Sequence, residues 1–173
     1  MKTKLIGLCI LSFSFAIIMT ISSCKKDEAA DLTDTELYIM AKETSGFTWF
    51  KNSDIKLDKS IGSGHTEPFL RTRYNAIAAT KLGLDGKIIA GTTFPEGSLI
   101  VKELYSDAST LTSYAILYKQ TNHKNADSNG WVWGYVFVDG STKVPSADKG
   151  SGCISCHTTD GNIDYMLMNK YFP

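Results

Sequence analysis

The chain has 173 residues, and its 18 lysines and arginines balance its 18 aspartates and glutamates. It contains no block of basic residues, so its charge argues against nucleic acid as a partner. The length suits one domain with a sizeable hydrophobic core.

The N-terminus has the pattern of a secretory signal. Two lysines within the first four residues precede an almost continuous apolar run over residues 5–21, which favours a signal peptide over a stable membrane span. Small residues then lead to Cys24, as in bacterial lipoprotein signals. We therefore predict a signal peptide over residues 1–23 and lipidation of Cys24, which would anchor the domain to the cell envelope, facing the periplasm or the cell surface. An ordinary cleavage site and an uncleaved anchor remain the alternatives.

A polar tether and a helix are predicted next. Residues 25–31 are polar, whereas Thr33 and Glu36 form a capping-box pattern before an apolar stretch, so a helix should begin near Thr33. The tether and this helix would occupy residues 24–45, and the main domain would occupy residues 46–173.

The rest of the chain is predicted to be mostly β-strand. The alternating or apolar segments that indicate strands are residues 47–50, 98–105, 114–119 and 131–138. Both faces of the last segment are apolar, which predicts a central strand. A second short helix is expected over residues 75–82. The predicted fold is α+β, with a mostly antiparallel sheet and short flanking helices.

Lys102 is unusual within the predicted strand 98–105. Side-chain alternation places it on the same face as Ile100 and Leu104. Burial of its ammonium group without a partner would cost several kcal/mol or lower its pKa. The alternative is an edge strand from which the side chain reaches water, and the pattern alone favours that alternative.

The Cys-x-x-Cys-His motif formed by Cys153, Cys156 and His157 is the most specific signal in the chain. This motif attaches c-type haem, because two thiols at this spacing reach two vinyl groups and the histidine binds the iron. A zinc site would need a second ligand pair, and His65 and His123 have no ligand-like spacing. A redox dithiol would not need the histidine. We predict one covalent haem c and no structural disulfide.

These segments together resemble the cytochrome P-460 family, which includes the beta-type cytochromes c′. The resemblance extends from about Phe69 to Pro173. It is carried by Phe-Pro-Glu-Gly-Ser-Leu-Ile-Val-Lys-Glu from Phe94, by Gly130-Trp131, by the haem motif and by the last ten residues, Asp-Tyr-Met-Leu-Met-Asn-Lys-Tyr-Phe-Pro. It implies a β-rich haem domain, often a homodimer, whose proximal ligand would be His157.

The resemblance also implies site residues beyond the motif. Lys102 matches a lysine that is joined to the haem in members that oxidise hydroxylamine. Phe94 matches an aromatic residue of the distal pocket, and Arg71 matches a pocket arginine, with Arg73 as the alternative. The distal glutamate that accepts protons in hydroxylamine-oxidising members falls near Ala115, so the chain departs from the family here. Hydroxylamine oxidation would need a base from elsewhere within reach of the ligand.

Three functions are consistent with these patterns. The first is a haem protein that binds or oxidises small nitrogen species, such as hydroxylamine or nitric oxide, at an open iron. The second is an electron carrier whose redox partner the sequence does not identify, and the third is a gas-binding module without turnover. Met166 or Met168 as a sixth ligand would favour electron transfer, but these methionines are more typical of the core of a C-terminal helix.

Overall fold

The main element of the fold is one seven-stranded sheet. The computed structural model describes residues 33–173, so the predicted signal peptide, Cys24 and the polar tether lie outside the described part. The strands are β1 (Thr48–Trp49), β2 (Leu57–Asp58), β3 (Phe69–Tyr74), β4 (Leu99–Tyr105), β5 (Leu111–Lys119), β6 (Trp131–Phe137) and β7 (Thr142–Val144). The α-helices are α1 (Thr33–Lys42), α2 (Ala76–Ala79), α3 (Ile154–His157) and α4 (Met168–Tyr171).

All strand pairs in the sheet are antiparallel, and their order is β1-β3-β4-β5-β6-β7, with β2 also paired to β3. The strand that carries Lys102 is β4, which lies between β3 and β5 in the middle of the sheet. The edge-strand alternative for Lys102 is therefore excluded. Among residues 33–173, no helix is long and apolar enough to cross a bilayer.

Helix α1 covers one side of the sheet, which we call the helix face. Leu37 and Ala41 of α1 are buried against apolar side chains of β4, β5 and β6, including Val101 and Ile116. Gly134 on β6 permits this contact, because a Cβ atom there would lie 2.6 Å from Cδ1 of Leu37. Helix α1 therefore packs closely on β6 and excludes water from this side of the core.

The opposite side of the sheet is covered by the C-terminal segment, and we call it the cavity face. Successive side chains of a strand point to opposite faces of the sheet. In each strand, the residues on either side of a helix-face residue therefore point to the cavity face. Leu70, Ile100 and Trp133 pack here with Met166 and Met168. Both methionines are buried, as the core interpretation predicted.

The predicted α+β class is confirmed. The helix expected near Thr33 is α1, whereas the helix expected over residues 75–82 is the shorter α2, capped by the Asn75 side chain that accepts from the Ala78 N–H at 2.9 Å. The sequence did not predict β3. The middle of this strand, Arg71-Thr72-Arg73, is polar and shows no apolar pattern. Ion pairs of the two arginines explain how it is buried.

Candidate functional site

Two adjoining cavities lie between the cavity face and the C-terminal segment. Their empty volumes, counted with the open space at their mouths, are about 500 Å³ and 640 Å³. The residues that line both cavities are His65, Lys102, His157, Leu167 and Met168. Two histidines and a lysine therefore face one largely apolar space.

A tight turn brings the two motif cysteines to the second cavity. Gly150 has a φ of +73°, and a Cβ atom there would lie 2.7 Å from the Trp133 ring, so the turn approaches the sheet as closely as glycine allows. The backbone N–H of Cys153 donates to the Gly150 carbonyl at 2.8 Å as the chain enters α3. Cys153 and Cys156 are not joined in a disulfide. Both line the second cavity together with His157.

The ring of His157 is held in one orientation. Its Nδ1 lies 2.7 Å from the backbone carbonyl oxygen of Tyr165; a carbonyl only accepts, so Nδ1 carries the proton and Nε2 is left with its lone pair. The Trp133 ring meets the imidazole edge-on, with centroids 5.2 Å apart. Burial, and then the charge of Lys102, lower the pKa of His157 to about 4. The imidazole is thus neutral at pH 7, as an iron ligand must be.

The turn after β5 fixes the side chains around His157. Asp127 accepts a hydrogen bond from Nε1 of Trp133 at 2.9 Å, and the Asn129 amide donates to the Tyr165 hydroxyl at 2.7 Å. The Trp133 and Tyr165 rings contact each other with centroids 5.1 Å apart. These hydrogen bonds fix Trp133, whose ring contacts His157, and Tyr165, whose carbonyl orients the imidazole. The site is therefore preorganised.

Lys102 lies on the wall shared by both cavities. On the sheet it pairs with Thr72 of β3 and Ala115 of β5, and its Nζ is 3.3 Å from Nε2 of His65. Burial lowers the pKa of Lys102 to about 8. A side chain in this setting is partly uncharged near neutral pH, and only the uncharged amine is nucleophilic.

His65 is a cavity residue that sequence reasoning missed. It lies in the loop between β2 and β3, and its ring contacts Lys102 and, edge-on, the Tyr135 ring, with centroids 5.8 Å apart. Burial, followed by the charges of Lys102 and His157, lowers the pKa of His65 to about 2. No spacing rule connects His65 to the haem motif. The connection arises only when the loop folds over the sheet.

A buried carboxylate lies beside His65 but is already paired. Burial alone would raise the pKa of Glu67, but hydrogen bonds from Lys143 at 2.9 Å and from the Tyr135 hydroxyl at 3.0 Å lower it to about 2. Glu67 does not line either cavity. It instead fixes the Tyr135 ring that His65 contacts.

The geometry contradicts the prediction that Arg71 lines the distal pocket. Arg71 is on the helix face, where its Nε donates to Glu103 at 2.6 Å and its guanidinium stacks over the Trp49 ring at 4.3 Å. The alternative, Arg73, lies on the same face and binds Glu103 at 3.0 Å. The residues of β3 that face the cavities are Thr72 and Leu70, because alternation turns both arginines away.

Phe94 also does not line either cavity, contrary to the prediction. It is 1% exposed, stacks on Tyr74 with centroids 6.2 Å apart and meets the Trp131 ring edge-on. The Asp164 carboxylate accepts from the Phe94 N–H at 2.9 Å and from the Trp131 indole at 3.0 Å. Phe94 therefore stabilises the core behind the site.

Ala115 occupies the place where the family resemblance led us to expect an acid. It lies between Lys102 and Tyr135 in the sheet and lines the first cavity. No described residue that lines either cavity is an aspartate or a glutamate. The wall therefore offers an imidazole and an amine, and no carboxylate.

The residues present fit a c-type haem. Cys153 and Cys156 are free thiols that line the second cavity together with His157, whose Nδ1 is bonded to Tyr165, so that Nε2 is its available ligand atom. Within residues 33–173, no cluster of three or more His, Cys, Asp or Glu side chains could hold a bare metal ion. The donor set suits a macrocycle that brings its own four equatorial nitrogens, and a zinc site is not supported.

The comparisons with known proteins agree with this fit. The family model described as Cytochrome P460 matches residues 59–168, and that family implies a c-type haem as cofactor. No curated protein and no solved structure matches the chain.

Proposed function

We propose that this chain, which belongs to the cytochrome P-460 family, holds one covalent haem c and binds small nitrogen-containing ligands at an open iron site. The observation that carries the proposal is the arrangement of Cys153, Cys156 and His157 around one cavity. The hydrogen bond from His157 Nδ1 to Tyr165 supports it further, because it leaves Nε2 available. Cys153, Cys156 and His157 would hold the haem, which would supply a redox-active iron able to bind such a ligand.

Covalent attachment can be tested directly. We expect the full chain, matured together with the cytochrome c assembly machinery, to retain its haem through acid–acetone extraction. The double variant Cys153→Ala, Cys156→Ala should release the haem under the same conditions. The matched control is His123→Gln, since His123 does not line either cavity. Haem that leaves the wild-type protein would refute the attachment.

Oxidation of hydroxylamine is the second candidate reaction, and the position of Lys102 on the cavity wall favours it. Oxidation removes electrons and protons, so it needs an external electron acceptor and a base within reach. The cavity wall offers no carboxylate for that purpose, so binding is the better supported function. Peptide mapping by mass decides whether Lys102 is joined to the haem. Separate peptides with an ordinary c-type spectrum would reject the enzyme proposal.

A plain electron carrier is less well supported. Met168 lines both cavities, but its Sδ accepts a hydrogen bond from the Thr72 hydroxyl at 3.3 Å. Met166 lines only the first cavity and is buried in the apolar core beside Tyr165. We expect the iron to be five-coordinate in the absence of added ligand. A six-coordinate spectrum with methionine ligation would favour electron transfer instead.

We further propose that the domain is exported and anchored through lipid on Cys24, and that it forms a homodimer. The signal pattern and the chemistry of haem attachment, which occurs outside the cytoplasm, support export. Cys24→Ser should abolish lipid labelling and release the domain from membranes or block its maturation. Wild-type protein that is wholly soluble and unlabelled would contradict the anchor, and a monomeric mass in light scattering would contradict the dimer.

A further inference from the structure

We propose that the imidazole of His65 is the hydrogen-bonding group for polar ligands in the cavity, with the amino group of Lys102 as its partner. The proposal rests on the proposed function, because it assumes that a haem and its ligand occupy this cavity. It gives a role to a histidine outside the Cys-x-x-Cys-His motif and identifies the class of ligand that the cavity would favour.

The first support is the position of His65 over a small side chain. Ala115 has two cross-strand neighbours, Lys102 on β4 and Tyr135 on β6. His65 contacts both of them, the first at 3.3 Å between Nε2 and Nζ and the second ring to ring. The imidazole therefore lies on the same side of the sheet as Ala115, and both residues line the first cavity. A larger residue at position 115 would compete for the same space.

The second support is the attachment of the loop that carries His65. The loop is closed at its base by the β2–β3 pairs and by a hydrogen bond of 2.7 Å from the Lys59 N–H to the Pro68 carbonyl. Within it, the backbone N–H of His65 donates to the Ser63 hydroxyl at 3.4 Å. Ser63 and His65 both line the second cavity, so the loop forms part of the cavity wall.

The third support is the chemical complementarity of the pair. A lysine ammonium group only donates hydrogen bonds, so Nε2 of His65 is the acceptor in this contact. A ligand that inserts between the two groups meets one donor and one acceptor. Hydroxylamine can satisfy both, whereas carbon monoxide has no proton to donate. The Thr72 hydroxyl of the first cavity already donates to Met168.

The decisive experiment uses the full haem-loaded chain with His65→Leu. We expect hydroxylamine to bind on the order of tenfold more weakly, the loss typical of one hydrogen bond in an apolar site. Carbon monoxide affinity should change far less, and the C–O stretching frequency of the ferrous complex should shift, because it responds to nearby polar groups. His123→Leu is the matched control and should change neither property.

A second variant keeps the test independent of any folding defect in His65→Leu. Ala115→Leu retains His65 but extends a larger side chain into the first cavity, which both residues line, so it should cause the same selective loss of hydroxylamine binding. Unchanged affinities and an unchanged C–O stretch in both loaded variants would overturn the inference. A wild-type six-coordinate, low-spin spectrum that becomes high-spin in His65→Leu would also overturn it, because His65 would then bind iron itself. Wild-type chain that takes up no haem would overturn the proposed function as well.

Discussion

Both faces of the sheet hold charged side chains, but the helix face pairs Glu103 with opposite charges, whereas Lys102 on the cavity face has no described carboxylate as a partner. On the helix face, the Glu103 carboxylate lies between two guanidinium groups, 2.6 Å from Arg71 and 3.0 Å from Arg73. One residue earlier on β4, Lys102 points to the cavity face, where it meets the imidazole of His65 and no carboxylate. Paired charges stabilise a fold, whereas an unpaired group with a shifted pKa is characteristic of a functional site.

The helix-face network is completed by neutral groups. The Tyr105 hydroxyl donates to Glu103 at 2.6 Å, and Arg73 donates to the backbone carbonyls of Ala41 and Glu43 at the end of α1. Arg73 is fully buried. The network therefore joins α1 to β3 and β4, and its role is structural.

The largest loss of stability is expected from Glu103→Ala, which removes the carboxylate that pairs with both arginines of the helix face. It leaves one buried and one partly buried guanidinium group without their carboxylate, a change that typically costs about 3–5 kcal/mol in the free energy of unfolding. Urea unfolding followed by tryptophan fluorescence measures the loss. The control is Glu36→Gln on the exposed side of α1, which keeps the capping-box pattern and should stay within about 0.5 kcal/mol of wild type. A loss in Glu103→Ala no larger than in this control would show that the network does not support the fold.

On the cavity face, Lys102→Met should raise the free energy of unfolding, whereas Glu103→Ala lowers it. Burial lowers the pKa of Lys102 from 10.5 to about 8, so below pH 8 the folded chain carries the cost of a charge that is partly removed from water. As pH rises from 8 to 10.5, the unfolded chain holds more protons than the folded chain, and stability rises with pH.

The haem-free Lys102→Met chain should therefore be more stable than wild type at pH 7, by on the order of 2–3 kcal/mol. The difference between the two should shrink between pH 8 and 10.5, which urea unfolding at a series of pH values measures. A difference that does not vary with pH would mean that Lys102 is not buried as a charge. Lys51→Met is the control, because the Lys51 side chain is exposed.

Gly150→Ala should disturb the approach of the attachment turn to the cavity face. Its added Cβ would lie 2.7 Å from Trp133 at a φ of +73°, so we expect a loss of about 1–2 kcal/mol and a lower haem content per chain. Gly152→Ala is the matched control, because a Cβ atom there meets nothing within 4 Å. Equal haem content and stability in both variants would show that the turn tolerates displacement from Trp133.

The parts of the site that the sequence predicted are those encoded in adjacent residues. Cys153, Cys156 and His157 form a local motif, so their shared cavity follows from a few turns of backbone. Lys102 could be placed by strand alternation once its neighbours were recognised, although its burial depended on β4 being an inner strand. Such local patterns also predicted the α+β class.

The errors arose where side-chain direction depended on a strand that composition did not reveal. Arg71 was assigned to the distal pocket, yet β3 turns it to the helix face, where Glu103 makes a buried arginine acceptable. His65 was missed because a loop histidine has no periodic neighbours that predict its direction. Both cases depend on pairings between residues more than 30 positions apart, which a single sequence does not show.

The smallest effect is expected from Thr72→Val, which removes the neutral polar contact of the cavity face. The Thr72 hydroxyl donates to Sδ of Met168 at 3.3 Å, and a thioether is a weak acceptor. Because valine nearly matches the shape of threonine, we expect a loss below about 0.5 kcal/mol. Thr112→Val, which removes a 2.9 Å bond to the Leu104 carbonyl, should cost more. If Thr72→Val instead converts the haem spectrum to a six-coordinate methionine-ligated form, the hydroxyl is what keeps Met168 from the iron. In that case the sixth position depends on this contact, and the cavity is poised between ligand binding and electron transfer.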